Sequence, residues 1–418
     1  MPCDQRYEPF AVAYAERTNH ILLELDTLGT RFLPSVGGGM ACTELDADGN
    51  VRHASETGFG LRTFPHDLMQ EAQLLRNIFS RGSPTLEVPP CPTGEWLRSL
   101  LCELNDEVGD DANLSIRLND RAWASCCAGQ EPVRGSASTA QIILRQTNGL
   151  PSISWAGSPA ALAHGMPSEF LQGVKHASQP QSPTHIPDGP HRTLLSPEAA
   201  IALVHEVIGH ALEGDRALQG SRLWTTRHSL RITSELTVVE DGTHPEAWEH
   251  SFHDDEGSTI EPLPLIEAGS VQRLVTDKLT AAMLGTRSSA GGRRESYRRP
   301  AVPRVRHTRV LPGSASMTGL LTLIDDGVMV ERVAGGHADT TTGTFTLHGI
   351  QAYKITNSTI GEPLTFSTIR GDLSALERIL AIGTHPVTKR FSCGKGGVWL
   401  RSSASAPAIA IDGLELHR

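Results

Sequence analysis

The sequence predicts an α+β fold, in which an α/β N-terminal domain over residues 1–190 precedes a β-rich domain over residues 191–418. Two observations support this division. Residues 176–191 are rich in Pro, Ser and His and lack periodicity, which is typical of a long loop or linker. The segments after residue 220 are mostly short, β-branched and separated by turn residues. At 418 residues, the chain is long enough for two or three domains.

The N-terminal half combines helical and strand patterns. Residues 11–25 and 69–79 are predicted helices, and residues 141–145 form a predicted strand. Three consecutive glycines at 37–39 and an Asp-Gly turn at 46–49 indicate a hairpin region.

The C-terminal half predicts a large antiparallel sheet or sandwich. Its predicted strands are residues 230–240, 271–276, 328–333, 344–347, 352–355, 364–368 and 408–411. Its predicted helices, apart from one that begins at Ser196, are residues 278–284, 317–324 and 373–382.

Composition narrows the class of partner and the compartment. The net charge of −10 argues against nucleic acid or an anionic membrane as the main partner. No run approaches the ~18 apolar residues that a membrane-spanning helix needs, and the first residues lack the apolar core of a secretory signal. Seven cysteines without a CxxC pair indicate reduced thiols. We therefore expect a cytoplasmic protein.

The helix that begins at Ser196 carries the strongest candidate site. Ser196 is a suitable N-cap, and Pro197 suits the first helical position. His205, Glu206 and His210 follow on this apolar helix. A His-Glu pair with a second His is the pattern of zinc hydrolases, in which the histidines hold the metal and the Glu accepts a proton from metal-activated water.

The spacing of these histidines is unusual. Zinc helices commonly place their histidines four residues apart, on one face. Here they are five apart, which on a regular helix turns them by roughly 140°. Both rings reach one metal if the helix contains a π-bulge, which absorbs one extra residue.

A catalytic zinc site needs a third protein ligand, and the sequence offers three candidates. They are Cys393 in a glycine-rich loop with Lys395 nearby, His253, and Glu213 on the same helix. A lone cysteine is more often buried and inert than a ligand. Glu213 is ordinarily a surface carboxylate, residues 254–256 a solvated acidic turn, and Arg293 with Arg294 a solvated basic patch.

Seven separated blocks together resemble the TldD/PmbA family of metallopeptidases. Residues 205–221 (HEVIGHALEGDRALQGS) resemble that family's metal helix. The further blocks follow in the same order and are DDEG at 254–257, TD with LTA at 276–281, GRRESY with PR at 292–304, GG with Asp339, TGTF at 342–345, and CGK at 393–395. The resemblance extends over about residues 191–418, whereas the N-terminal half matches weakly.

The resemblance implies one Zn²⁺ per subunit on His205, His210 and Cys393, with Glu206 as the general base. It also implies a two-domain subunit that assembles as a dimer around an enclosed cavity, either as a homodimer or as a heterodimer with a metal-less TldE/PmbA-like relative. The expected substrates are short or unfolded peptides. Candidate substrate contacts are Arg293, Arg294, Arg304 and His307.

The sequence therefore predicts a zinc metallopeptidase that cleaves peptide amide bonds, with water activated by zinc and Glu206. We expect its substrates to bind as extended chains that add to a strand edge. Two alternatives stay open. One is a tailoring hydrolase that acts on a small-molecule amide or an amino-acid conjugate in a biosynthetic pathway. The other is a non-catalytic subunit of a peptidase pair, which the two histidines and Cys393 argue against.

Overall fold

The N-terminal part of the chain forms one antiparallel sheet. The structure, a computed structural model, describes residues 9–26, 29–58, 69–80, 112–146, 152–162, 165–177 and 184–417. The strands of this sheet are β1 (Phe10–Asp26), β2 (Gly29–Leu45), β3 (Val51–Thr57), β4 (Ala112–Cys127), β5 (Val133–Gln146) and β6 (Ile153–Gly157). They lie in the order β3-β2-β1-β4-β5-β6, and each neighbouring pair is antiparallel.

Helices cover one face of this sheet. They are α1 (Met69–Ser80), α2 (Pro159–Leu162) and α3 (Ser168–Ala177). Leu75 of α1 is buried with side chains of β1, β2 and β4, and Phe170 of α3 is buried with side chains of β4, β5 and β6. The β1 side chains in the two clusters all come from odd-numbered residues, so they point to the same face of the sheet. The other face is left for the C-terminal half.

Most predicted elements of this half are confirmed, and one is wrong. The helix at 69–79, the hairpin around 37–49 and the strand at 141–145 are present as α1, the β2–β3 hairpin and part of β5. The predicted helix at 11–25 is instead strand β1, which pairs with β2 on one side and β4 on the other. Pairing along both edges overrides the helical propensity of its alanines.

The C-terminal half contains more strands and a central helix. Its strands are β7 (Gly189–Leu195), β8 (Val238–Glu240), β9 (Leu263–Glu267), β10 (Ser270–Val271), β11 (Gly292–Arg293), β12 (Val302–Pro303), β13 (His307–Val310), β14 (Gly327–Asp339), β15 (Thr344–Thr356), β16 (Thr359–Leu364), β17 (Thr368–Gly371), β18 (Ile379–Ile382), β19 (Val387–Lys395), β20 (Val398–Ala406) and β21 (Ile409–His417). Its α-helices are α4 (Pro197–Val204), α5 (Gly214–Leu218), α6 (Arg222–Thr225), α7 (Lys278–Leu284), α8 (Met317–Ile324) and α9 (Ser374–Glu377).

Two sheets enclose the central helix. The first has the order β10-β9-β8-β13-β20-β19, so β19 lies at its edge. The second has the order β14-β7-β21-β17-β15-β16, and an additional β14–β15 pairing closes five of its strands into a ring. Side chains of α4 are buried together with side chains of both sheets in the largest apolar cluster of the described residues. The predicted α+β fold is confirmed, with the candidate helix at the centre of the β-rich half.

Helices 278–284 and 317–324 are confirmed as α7 and α8, and they begin after the N-caps Asp277 and Ser316. The predicted helix at 373–382 is wrong, because only one turn (α9) forms before strand β18 pairs with β21. Residues 230–240 form a strand only at Val238–Glu240, and residues 271–276 only at Val271.

The remaining strand predictions differ mainly in their boundaries. Residues 344–347 and 352–355 belong to the single strand β15, while residues 364–368 join the end of β16 to the start of β17. Part of the predicted linker, residues 178–183, lies outside the described residues. The division into domains at residue 190 stays a prediction.

A buried ionic network joins the two halves of the chain. The Glu16 carboxylate accepts hydrogen bonds from Arg121 Nε at 3.2 Å and from the Tyr297 backbone N–H at 2.8 Å. Arg121 Nη2 also donates to Asp255 at 3.2 Å, and the Arg294 backbone N–H donates to the same carboxylate at 2.6 Å. The acidic segment 254–256 is therefore buried, and its prediction as a solvated turn is wrong.

None of the helices that the structure describes has the length and apolar composition that a membrane span requires.

The Arg121→Ala substitution tests the importance of this network. It leaves the carboxylates of Glu16 and Asp255 buried without their shared cation, so we expect the free energy of unfolding to fall by about 3–5 kcal/mol. Urea unfolding followed by circular dichroism measures the change.

Arg192→Ala is the matched control, because it removes an arginine from an ion pair with Asp412 in which both side chains are about half exposed. This loss should cost about 0–1 kcal/mol. Equal losses in the two variants would show that the network does not stabilise the chain.

Candidate metal centre

Local sequence determines how the central helix begins. Ser196 is the N-cap, and its side chain accepts a hydrogen bond from the Ala199 backbone N–H at 3.2 Å. Pro197 occupies the first turn, where its missing N–H costs nothing. Five of the eight residues of α4 are buried, so the helix is held on most sides by apolar contacts.

The helix continues into a π-helical turn over His205–Gly209. The His210 backbone N–H donates to the His205 carbonyl, five residues earlier, and this bond accommodates one extra residue in the turn. The two imidazole rings consequently lie 4.5 Å apart between centroids. The predicted π-bulge is confirmed. A 3₁₀ turn, His210–Leu212, then ends the helix, and Glu213 is extended.

A thiol from a distant strand completes the cluster. Cys393 lies on the edge strand β19, and its Sγ is 3.1 Å from His205 Nε2 and 3.0 Å from His210 Nε2. All three side chains are buried, and one donor atom from each lies within 4.8 Å of the other two. Two imidazoles and a thiolate are a donor set that suits zinc. Within the described residues, neither His253 nor Glu213 joins this group.

The three groups perturb one another strongly. Burial raises the pKa of the Cys393 thiol, but the adjacent His205 and His210 outweigh it and lower that pKa to about 5. Burial lowers the pKa of His210, but Glu213 and Cys393 outweigh it and raise that pKa to about 10. These opposite shifts favour a thiolate beside an imidazolium in the metal-free site. The lowered pKa of Cys393 comes from these histidines and not from Lys395, whose ammonium pairs with Glu213 and Asp215.

Glu206 borders a large cavity beside this cluster. The cavity has a volume of about 910 Å³, and His205, Glu206, His210 and Cys393 all line it. Burial raises the pKa of Glu206 above its ordinary value, and the neighbouring histidines offset part of this rise. A carboxylate with a raised pKa next to a metal-binding group is suited to accepting a proton from water.

Both halves of the chain contribute to the cavity walls. Residues of α3 and β6 line one side, and residues of α4, β14, β15 and β19 line the rest. β6 and β19 are edge strands of their sheets. The pairing of β14 with β7 ends at Val330, so within the described residues the rest of that edge of β14 has no strand partner. Several strand edges among the described residues therefore border the cavity.

Glu213 is wholly buried, contrary to its prediction as a surface carboxylate. Its Oε2 accepts a hydrogen bond from His210 Nδ1 at 3.1 Å, and it pairs with Lys395 and Arg304. Burial raises the pKa of Glu213, but His210, Lys395 and Arg304 outweigh it and hold that pKa well below its usual range. The sequence pattern alone did not reveal that Glu213 is a buried, ion-paired carboxylate, because its partner Lys395 comes from the distant strand β19.

The four predicted substrate contacts do not line the cavity among the described residues. They are almost completely buried and bond to protein groups. Arg293 binds Glu249 and Arg304 binds the Cys393 carbonyl. Arg294 binds the Arg299 carbonyl, and His307 Nδ1 contacts Ser403. The description of Arg293 and Arg294 as a solvated patch is also wrong, because their guanidinium groups satisfy buried acceptors.

Cys42, Cys126, Cys127 and Cys393 are free thiols. Cys3, Cys91 and Cys102 lie outside the described residues. The cytoplasmic location stays a prediction.

Sequence comparison links the C-terminal half to metalloproteases. Residues 188–418 match the family model described as the PmbA/TldA metallopeptidase C-terminal domain. A metalloprotease TldD homolog of Buchnera aphidicola is 32% identical over 218 residues, which are 51% of this chain and 45% of that protein. A zinc metalloprotease TldD homolog of Saccharolobus solfataricus is 32% identical over 232 residues, which are 54% and 52% of the two chains. The chain spans about half the length of these curated relatives.

Structural comparison covers nearly the whole chain. TldE from Thermococcus kodakarensis superposes with a TM-score of 0.69 at 16% identity and covers 99% of this chain and 97% of its own. A Thermotoga maritima protein named as a candidate modulator of DNA gyrase superposes with a TM-score of 0.70 at 16% identity, over 98% and 96% of the two chains. These neighbours support the fold. With the match over residues 188–418, the chain belongs to the PmbA/TldA metallopeptidase family.

Proposed function

We propose that this protein is a zinc-dependent peptidase that cleaves amide bonds in short or unfolded peptides. The observation that carries the proposal is the convergence of His205, His210, Cys393 and Glu206 on one cavity. The family match and the zinc metalloprotease name of the Saccharolobus relative support it.

His205, His210 and Cys393 would hold the metal through Nε2, Nε2 and Sγ, the atoms that already lie near one another. Three protein ligands leave a zinc ion one position for water or substrate. When bound, zinc supplies a Lewis acid that acidifies water and polarises a carbonyl group. The Cys393 thiolate is available at neutral pH because its pKa is lowered to about 5.

Glu206 would move the proton in this reaction. Its carboxylate accepts a proton from the attacking water as the C–O bond forms, and it then delivers that proton to the leaving amine as the C–N bond breaks. Its raised pKa makes this carboxylate a stronger base toward water than an exposed glutamate. The same residue thus serves as base and then as acid.

The strand edges that border the cavity suit an extended peptide. Among the described residues, β6 and β19 each pair with a strand on one side only. Backbone hydrogen bonds to a strand edge are largely independent of side-chain identity. A cavity of about 910 Å³ accommodates a short stretch of chain rather than a folded domain.

We further propose that the protein works as a dimer. The dimer would be either a homodimer or a heterodimer with a metal-less TldE/PmbA-like relative. A second subunit would enclose the cavity and exclude folded proteins. Two alternatives differ from this proposal. A tailoring hydrolase would cleave small amides instead of peptides, and a non-catalytic subunit would hold no zinc.

Glu206→Gln tests the proton-transfer role. The amide keeps the size of the side chain but cannot accept the proton, so we expect peptide hydrolysis to fall about a hundred- to ten-thousand-fold. Zinc content by elemental analysis should stay at one per chain.

Glu415→Gln, an exposed carboxylate on β21, is the control and should keep its activity. Wild-type turnover in Glu206→Gln would contradict the assignment of the base. Wild-type protein purified without zinc, and unable to bind it, would favour the non-catalytic subunit.

Alkylation of Cys393 tests the metal site independently of catalysis. In metal-free protein, the rate of reaction with iodoacetamide should rise with pH through about 5, because the thiolate forms there, rather than near the ordinary thiol pKa of about 8.5. Added zinc should suppress the reaction. Peptide mapping by mass spectrometry measures the modification at each cysteine.

Cys127 is the internal control, since burial raises its pKa and it should react only at higher pH, with or without zinc. A pH profile at Cys393 that matches Cys127, or a rate unaffected by zinc, would argue against the site.

Substrate form and assembly are tested together. We expect the unfolded form of a small protein to be cleaved and its native form to be spared, because only an extended chain enters an enclosed cavity. Light scattering should give about twice the 45.0 kDa of one chain for the active species. A monomer that cleaves both forms at equal rates would overturn the enclosed-cavity model, and exclusive hydrolysis of small amides would favour the tailoring alternative.

A further inference from the structure

The Glu213 carboxylate connects the elements that carry two of the candidate metal ligands. It lies three residues after His210 and is completely buried. Its Oε2 is 3.1 Å from His210 Nδ1, and its Oε1 accepts from the Val305 backbone N–H at 3.1 Å. Lys395 and Arg304 supply two cations to the same group. The proposed peptidase mechanism gives this carboxylate no task.

Both cations also belong to the surroundings of Cys393. Lys395 follows Cys393 by two positions on β19, so the two side chains lie on the same face of that strand. Arg304 Nη2 donates to the Cys393 carbonyl at 2.9 Å. Lys395 also binds Asp215 at 2.9 Å. The edge strand that carries Cys393 is thus fastened to the end of the histidine helix by ion pairs that meet at Glu213.

The contact with His210 determines which ring nitrogen faces the metal site. An ionised carboxylate only accepts hydrogen bonds, so Nδ1 of His210 is the donor to Glu213. Nε2 then faces Cys393 Sγ. No such hydrogen bond orients the ring of His205, because its Nδ1 is buried and has no hydrogen-bond partner among the described residues. Its ring packs against Phe391 instead, at 4.7 Å between centroids.

Charge balance gives Glu213 a second effect. Lys395 and Arg304 have 8% and 0% side-chain exposure, so water screens them poorly. Glu213 and Asp215 compensate these charges. If Glu213 were neutral, Asp215 alone of these two carboxylates would balance the two cations, beside a site that must accept a divalent cation. The excess positive charge would weaken metal binding.

We propose that Glu213 is a positioning residue for the metal centre, which orients His210 through Nδ1 and holds the Cys393 strand through Lys395 and Arg304. This inference rests on the proposed metal site. It means that tight metal binding requires Glu213 in addition to the three ligands His205, His210 and Cys393.

Glu213→Gln tests the proposal through metal affinity. The amide keeps an acceptor oxygen but loses the charge, and partners of this kind typically change metal affinity by about 10–100-fold. We therefore expect the Kd for zinc, measured by competition with a chromophoric chelator, to rise by that factor. With cobalt at equal loading, the absorption bands that report thiolate and imidazole coordination should change.

Glu249→Gln is the matched control. It neutralises another buried glutamate, which pairs with Arg293 and Arg401 and does not contact the candidate ligands. Its stability should fall, but its zinc affinity and cobalt spectrum should match the wild type. A merely structural role for Glu213 would leave both variants alike in metal binding.

A double variant separates charge from general disruption. Adding Lys395→Met to Glu213→Gln removes one of the two buried cations beside the site, so the part of the zinc affinity that was lost through charge repulsion should recover, by about threefold relative to the single variant. Wild-type protein that binds no zinc would overturn the proposed function itself. Wild-type protein that binds zinc, with Glu213→Gln binding equally well or without recovery in the double variant, would overturn only the role of Glu213.

Discussion

One extra residue in a buried helical turn is the constraint on which the candidate metal centre depends. On a regular helix, side chains five positions apart point about 140° away from each other. The hydrogen bond from the His210 N–H to the His205 carbonyl brings the two rings onto one side. Because Val207 and Ile208 within the turn are buried in the main apolar cluster, packing can offset the cost of this irregular geometry.

The rest of the site depends on contacts between elements that are distant in sequence. Cys393 lies 183 residues after His210 and reaches it only because β19 passes beside the helix. β19 is an edge strand, paired on one side alone, so backbone bonding secures it less than a central strand. The buried pairs of Lys395 and Arg304 with Glu213 supply an attachment that the sheet does not.

Buried arginines serve a similar purpose at the junction of the two halves. Arg121 joins Glu16 to Asp255 across this junction. Within the C-terminal half, Arg293 joins Glu249 to the backbone carbonyls of Val305 and Arg401. Buried charges that are paired in this way favour one arrangement, since a shift would leave a charge unpaired. The arrangement they favour brings β6 of the N-terminal sheet to the wall of the cavity, so the N-terminal half contributes directly to the space in front of Glu206.

The sequence by itself determined the features that depend on near neighbours. Ser196 and Pro197 define the start of the central helix, Asp277 and Ser316 cap two others, and the five-residue spacing of the histidines required a π-bulge. Cys393 could be chosen over His253 and Glu213 only through the resemblance to a family, because its partner histidines are far away in the chain.

Only the tertiary structure decided the remaining features. Residues 11–25 became a strand because two neighbouring strands pair with them, and 373–382 divided into a helical turn and a strand because β21 pairs with its second half. Arg293, Arg304 and Glu213 are polar side chains that a local pattern assigns to the surface. Their burial requires partners from segments up to 182 residues away, such as Lys395 for Glu213. Those partners depend on how the sheets pack, and local periodicity carries no information about that packing.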